Sequence, residues 1–301
     1  MTSTDLTQLN AQANKAAQAY MGKFAWPTVL LGAAIPVVIG GAIWAWSAGV
    51  IPFVLVFFVN FVAVFAGYTI VHEAAHGNIS GNHRNLVWLN NLMGTICGMV
   101  VIVPLSTHRP EHLVHHRYTN DPVHDPDCVT SDDQKMGLLG YIRFANGFFI
   151  NAVFYALRDH GNGPSIPLKT KLQFTGELAM AIGWRVAVLT QVPLMEGLVL
   201  IVGTWLLAAY TLIYWFAFRP HLPYETTDRY RNTSSFHVPG WARPFQWFLL
   251  GQDLHAIHHL FPRVPFYHYR DLFREIEPAL RAHDAPIIGI FDRQPVAENV
   301  I

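Results

Sequence analysis

Residues 24–71 read FAWPTVLLGAAIPVVIGGAIWAWSAGVIPFVLVFFVNFVAVFAGYTIV, 48 consecutive positions without an Asp, Glu, Lys, Arg or His. A helix crossing a bilayer needs about 20 apolar residues. This run therefore holds two crossings, expected at about 26–46 and 51–71 and joined by a turn at 47–52. A second uncharged run, residues 197–218, is a third crossing. Residues 178–195, apolar apart from Arg185, suggest a fourth at about 176–195. The chain reads as an all-α integral membrane protein, with residues 1–301 as one domain.

The rest of the composition agrees. Of the 301 residues 52% are hydrophobic, and 20 Lys plus Arg balance 20 Asp plus Glu. No basic stripe exists to neutralise phosphates, which excludes nucleic acid as a partner. Cys97 and Cys128 make neither a disulfide framework nor a CxxC clip. Apart from Arg185, Lys and Arg lie before residue 26, between 71 and 176, and after 218, and none lies in the turns at 47–52 and 191–197. By the positive-inside rule both termini and both long connections are cytoplasmic. The uncharged stretch 85–107 carries Asn85, Asn90, Asn91 and Pro104, so it is expected to be interfacial or re-entrant rather than a fifth crossing. Arg185 is costly in hydrocarbon. It must snorkel, face the bundle interior, or pair with an acid such as Glu177.

Eight of the sixteen histidines fall into three groups: His72 and His76; His112, His115 and His116; His255, His258 and His259. At about 100° per residue, offsets of three and four return side chains to one helix face. Three helical segments would then each present imidazoles from one side, and the topology puts all three in one compartment. That is what a multi-histidine metal site needs. Imidazole suits Zn, Cu, Fe and Ni alike. Eight or nine such ligands are too many for one tetrahedral zinc, whereas two ions with four or five each fit the count. Two other readings compete. His72-Glu73-Ala74-Ala75-His76 also matches the HExxH signature of zinc proteases, but a protease leaves both HxxHH groups unexplained. Metal transport expects ligands near the bilayer midplane, where this chain has no histidine.

HxxxH, HxxHH and HxxHH in this order, with hydrophobic hairpins between them, resemble the integral-membrane fatty-acid desaturase and hydroxylase superfamily over about residues 26–270. The resemblance implies two irons, a four-helix transmembrane stalk under a cytoplasmic helical cap, and O₂-dependent attack on an unactivated C–H bond. It also implies a ninth ligand, His221, placed just after the last crossing. Residues 115–127 (HHRYTNDPVHDPD), 219–232 (RPHLPYETTDRYRN) and 251–269 (GQDLHAIHHLFPRVPFYHY) are similar to stretches of the carotenoid-ring hydroxylase branch. Hydroxylation of a β-carotene-type ring is therefore the expected reaction, with an acyl desaturase on the same metal site as the alternative. Asp121, Asp125, Asp127 and His108 are expected to orient ligand imidazoles through their second ring nitrogen. Leu113, Tyr118, Leu254 and Ile257 are candidates for the substrate wall. Two electrons must come from outside, because the chain contains no ferredoxin cysteine pattern, GxGxxG loop or HPGG heme motif. A ferredoxin or similar soluble carrier is the expected donor.

Overall fold

The computed structural model describes residues 3–128, 137–155 and 166–298. Helix α1 (Ser3–Tyr20) leads into a hairpin of α2 (Trp26–Ser47) and α3 (Phe53–Ala75). At 1.5 Å per residue these two are about 33 and 35 Å long, enough to cross a bilayer. Neither has a polar face, and Leu30, Val37, Trp44, Val54, Phe58 and Val62 are exposed around them. Such a surface is stable only against lipid tails or another apolar surface. Exposed Trp26 and Trp44 stand 18 residues apart, about 27 Å along the axis, close to the separation of the two aromatic belts of a membrane protein. Helix α3 runs four residues beyond its expected end at 71 and so carries His72 and Glu73 in its last turn.

Helix α4 (Val87–Val101) returns along α3, and its contact depends on Gly94. A Cβ there would come within 2.6 Å of the Ala74 Cβ and 2.8 Å of Leu105. After α4 the chain bends by 97° at residues 102–104 into α5 (Leu105–Tyr118). The uncharged stretch 85–107 is thus a helix and a sharp bend. Beyond α6 (Gly137–Tyr155), α7 (Leu168–Leu189) begins eight residues before the crossing expected at 176 and ends at Leu189, four residues before Pro193, which caps the next helix.

That next helix is α8 (Leu194–Leu198) and α9 (Thr204–Leu212), joined and extended by π-helical turns (Val199–Gly203 and Ile213–Phe218) into 25 continuous residues. Among the described residues, three helices are long and apolar enough to cross a membrane: Trp26–Ser47, Phe53–Ala75 and Leu194–Phe218. The number is four if the bent α4–α5 pair is counted as one span. Lys169, Lys171, Glu177 and Arg185 keep α7 below that level of apolarity.

The remaining chain folds over the histidine-bearing ends of these helices. It contains α10 (Arg243–Phe248), α11 (His255–Leu260) and α12 (Tyr269–Ala282). Helix α12 buries Leu272, Phe273, Ile276, Ala279 and Leu280 on one stripe, the 3.6-residue pattern of a helix with a single core face. That stripe shares a core with Ala13 and Ala17 of α1. One correction to the all-helical expectation is a short parallel pair, β1 (Ser235–His237) with β2 (Ile287–Gly289). Their ladder pairs backbone groups of two partly buried segments.

The π turn in the long span frees backbone carbonyls, and the chain uses one. Asn60 of α3 is buried and donates its Nδ2 to the Leu200 carbonyl at 3.1 Å and to Thr204 Oγ1 at 3.3 Å. Side-chain bonds between membrane helices are worth about 0.6 kcal/mol on average and up to about 1.7. Asn60→Ala should therefore lower stability in detergent by about 1 kcal/mol, read as a small drop in Tm, with metal content unchanged.

Candidate metal centre

Three short helical stretches and one loop bring nine imidazoles together. His72 ends α3, and His76 is the residue that closes the same helix, one turn further on. His112, His115 and His116 lie in the last two turns of α5, and His255, His258 and His259 fill α11. His221 follows the π turn that ends at Phe218 and is 1% exposed.

The nine divide into two groups. In the first, the ligand atoms of His72, His76, His112, His116 and His258 all lie within 4.8 Å of one another. In the second, His115, His221 and His259 meet the same criterion. His255 joins this second group, its Nε2 being 3.0 Å from that of His259 and 3.3 Å from that of His221. The HxxHH pattern is used in opposite senses. The outer pair of α5, His112 and His116, serves the first group, and the outer pair of α11, His255 and His259, serves the second. The middle histidines, His115 and His258, cross to the other side. The rings of His116 and His259 stack at 4.3 Å and join the two groups.

Hydrogen bonds at the second ring nitrogen fix which nitrogen faces inward. His255 Nδ1 donates to Gln252 Oε1 at 2.8 Å, His221 Nδ1 to Asn120 Oδ1 at 3.2 Å, and His115 Nδ1 to Asp125 Oδ1 at 2.8 Å. An oxygen that only accepts requires the proton on Nδ1, so in the neutral rings of His255 and His221 Nε2 is a bare lone pair. His258 and His259 have hydroxyl partners at Nδ1, Tyr269 at 3.0 Å and Thr119 at 3.2 Å. Burial, together with neighbouring imidazoles, keeps His221, His258 and His259 well below the usual histidine pKa, and His255 is pulled down to about 3. Neutral imidazole is the form that binds metal. His115 alone goes the other way: burial pushes it down, but Asp127 and Asp125 lift it to about 9.

This donor set fits a pair of cations. Ring nitrogens converge, Nε2 of His258 lying 2.8 Å from that of His116 and Nε2 of His116 3.1 Å from that of His112. Both ring nitrogens of His72 and Nε2 of His76 are buried without a hydrogen-bond partner. Buried polar atoms are rarely left in that state, and a cation at the centre of the first group would satisfy one nitrogen of His72 and Nε2 of His76.

The expected orienting residues are partly corrected. Asp125 and Asp127 do face His115, Asp127 at 3.4 Å. Asp121 instead sits at the surface, accepting from the Val123 and His124 amides and pairing with His124. It closes a turn and touches no histidine of either group. His108 stacks on His112, with ring centroids 5.1 Å apart, packs edge-on against Tyr68 at 5.5 Å and lines the apolar cavity beside the first group. Gln252, Asn120, Thr119 and Tyr269 do the orienting that sequence reading missed. Gln252, three residues before His255, could have been noticed from its spacing; Tyr269, on the next helix, could not. Nor does the protease reading fit, because Glu73 is fully buried and accepts from Asn78 at 3.1 Å, away from both groups.

Beside the first group lies a mostly apolar cavity of about 380 Å³. Tyr68, Phe174 and Phe216 line it, with the bend residues Ile102, Val103 and Pro104, and His72 and His112 of the first group and His115 and His255 of the second also face it. None of the four expected wall residues lines it. Leu254 and Ile257 are core residues under α12, Leu113 is exposed, and Tyr118 stacks on His124. Residues adjacent to a ligand in a helix face away from it by about 100°, which is why neighbours of the histidines were poor candidates.

Comparison with known proteins gives a consistent family. The family model for fatty acid desaturases matches residues 44–291. A chloroplastic omega-6 fatty acid desaturase of Brassica napus is 24% identical over 262 residues, covering 78% of this chain and 53% of that protein. The sn-2 acyl-lipid omega-3 desaturase (ferredoxin) of Helianthus annuus is 25% identical, covering 78% and 56%. The sn-1 oleoyl-lipid 12-desaturase of a Picosynechococcus species is 24% identical over 241 residues, covering 70% and 65%. The chain spans about half the length of the plant relatives. With its family model matched across most of its length and its nine histidines gathered at one end of the helices, the chain belongs to the fatty acid desaturase family.

Proposed function

We propose that this protein is a membrane oxygenase that holds two irons on its nine clustered histidines and desaturates the acyl chain of a lipid. The observation that carries the reading is the pairing of two sets of inward-facing imidazole nitrogens with an apolar cavity that His72, His112, His115 and His255 face. First-group ligands would be His72, His76, His112, His116 and His258, and second-group ligands His115, His221, His255 and His259. Bound iron would supply reductive activation of O₂ and removal of hydrogen from an unactivated C–H bond. The balance is simple: O₂ takes four electrons to become two waters, two from the –CH₂–CH₂– unit and two from a carrier. Aromatic and aliphatic walls exclude water from the reacting carbon, and the hydrogen-bonded Nδ1 atoms hold each imidazole in one orientation.

In this reading α2, α3, α7 and the α8–α9 span are the four crossings, and α4 is re-entrant. The histidines lie on the side that the Lys and Arg distribution makes cytoplasmic. A soluble acidic carrier of the ferredoxin type would deliver electrons there; one relative's name carries that donor. A second reading keeps the metal site and changes the substrate. Residues 115–127 and 219–232 resemble carotenoid-ring hydroxylases, which favours hydroxylation of a β-carotene-type ring. Hydroxylation also needs two carrier electrons, one oxygen atom entering the product and the other leaving as water.

Expression in a host that supplies both β-carotene and common acyl lipids separates the two. A new double bond in the acyl chains, found by mass spectrometry, is the expected outcome. Hydroxylated carotene with unchanged lipids would replace it by the second reading.

Metal analysis of the purified protein should give close to two irons per chain. One zinc and no iron would sink the di-iron assignment.

His221 belongs to no sequence cluster, so its variant is the sharper test. His221→Ala should lose iron and turnover as severely as His258→Ala, whereas His124→Ala, an exposed pair with Asp121, should behave as wild type. A His221 variant with full iron content would remove it from the ligand set.

A further inference from the structure

Arg185 was expected to snorkel, face the interior or pair with Glu177. It faces the interior, 8% exposed, and its described partners are backbone carbonyls. Its Nη1 donates to the carbonyls of Met99 and Ala181, both at 2.8 Å, and its Nη2 to that of Val100 at 2.5 Å. Two indoles complete the arrangement. Trp184 Nε1 donates to the Met99 carbonyl at 3.3 Å and Trp205 Nε1 to that of Val101 at 2.8 Å. Met99, Val100 and Val101 are the last residues of α4, whose carbonyls have no partner within the helix. Beyond them Ile102 adopts φ +57°, an αL conformation that costs a β-branched residue energy. The surroundings must therefore hold it there.

The other side of the bend is held from the same helix. Glu177 is 4% exposed and lies eight residues before Arg185 on α7, about 12 Å along the axis. One of its oxygens accepts from the backbone N–H and the hydroxyl of Ser106 at 3.2 and 2.7 Å, and the other from Gln173 at 3.0 Å. Ser106 is in the first turn of α5. So α7 sets a cation against the negative end of α4 and an anion against the positive end of α5, each the sign that the helix dipole favours. Between these two anchors lie Ile102, Val103 and Pro104, the residues that wall the cavity next to His72 and His112.

We propose that Arg185 and Glu177 are positioning residues that fix the α4–α5 bend and thereby select which carbon of the bound chain stands opposite the metal centre. This rests on the lipid-oxidation reading above. The position of the wall sets how far a chain can enter, and a shift comparable to one residue of helical rise, about 1.5 Å, is comparable to one methylene of an extended chain.

The test uses the full-length protein in detergent or in cells, with Arg185→Lys and Glu177→Gln. Lysine keeps the charge but not the forked reach to two carbonyls, and glutamine keeps the shape without the charge. Backbone hydrogen exchange across residues 99–108 should quicken about five- to tenfold, the loss expected for one hydrogen bond. Iron content should stay at the wild-type level. The position of the new double bond or hydroxyl should move or spread by about one carbon. If one variant fails to fold, the other reads the same quantities from the opposite end of the bend. Unchanged exchange would overturn the proposal. Faster exchange with an unmoved product position would overturn it as well, leaving the pair as helix caps. A wild-type protein that oxidises no lipid would sink the preceding reading first, and the product experiment shows that before any variant is made.

Discussion

Imidazole nitrogens repel when their lone pairs face each other at about 3 Å, and six of the nine gathered histidines, His112, His116, His221, His255, His258 and His259, have ring nitrogens 2.8–3.3 Å from a neighbour's. The arrangement is tolerable only with positive charge among them, and much of the surrounding structure exists to enforce it. Gln252, Asn120 and Asp125 each accept a hydrogen bond from the Nδ1–H of one ring and so aim its other nitrogen inward. Burial removes, for His221, His255, His258 and His259, the alternative in which the rings simply protonate. The cap helices, with their own apolar core against α1, hold α11 in place against this repulsion.

Much of this was legible in the sequence. The 48-residue uncharged run announces α2 and α3, and the repeated three-and-four spacing announces the histidine faces of α5 and α11. His221 came from resemblance alone, because nothing in its local pattern distinguishes it from an interfacial residue. The division of the histidines into five and four was not readable, since it depends on how α5 and α11 cross. Nor were the orienting residues, apart from Asp125 and Asp127, because their contacts depend on loop conformation and helix docking. The cavity wall was misplaced for a related reason: it is built from α7, from the α4–α5 bend and from residues about a turn or more before the histidines, such as Tyr68 and Phe216, rather than from the neighbours chosen.

Charged residues inside an apolar helix are usually a sign of function, and α7 shows a structural way of accommodating them. Arg185 and Glu177 lie where two helices end inside the bundle, at backbone groups that would otherwise lack partners. The cost of burying each charge is offset by the cost of leaving those carbonyls and amides bare in an apolar surround. The same logic explains Asn60, which meets a carbonyl released by a π turn.

The opposite use of the two HxxHH helices has a mechanical consequence. Because α5 and α11 each supply both groups, neither can rotate or slide without disturbing both. A displacement of α11 that opens the group around His258 also displaces His255 and His259. The stacked His116 and His259 rings add a direct contact between the halves. The two halves therefore behave as one rigid unit, in which damage to either is felt by both and a half-built centre has no independent frame to rest on.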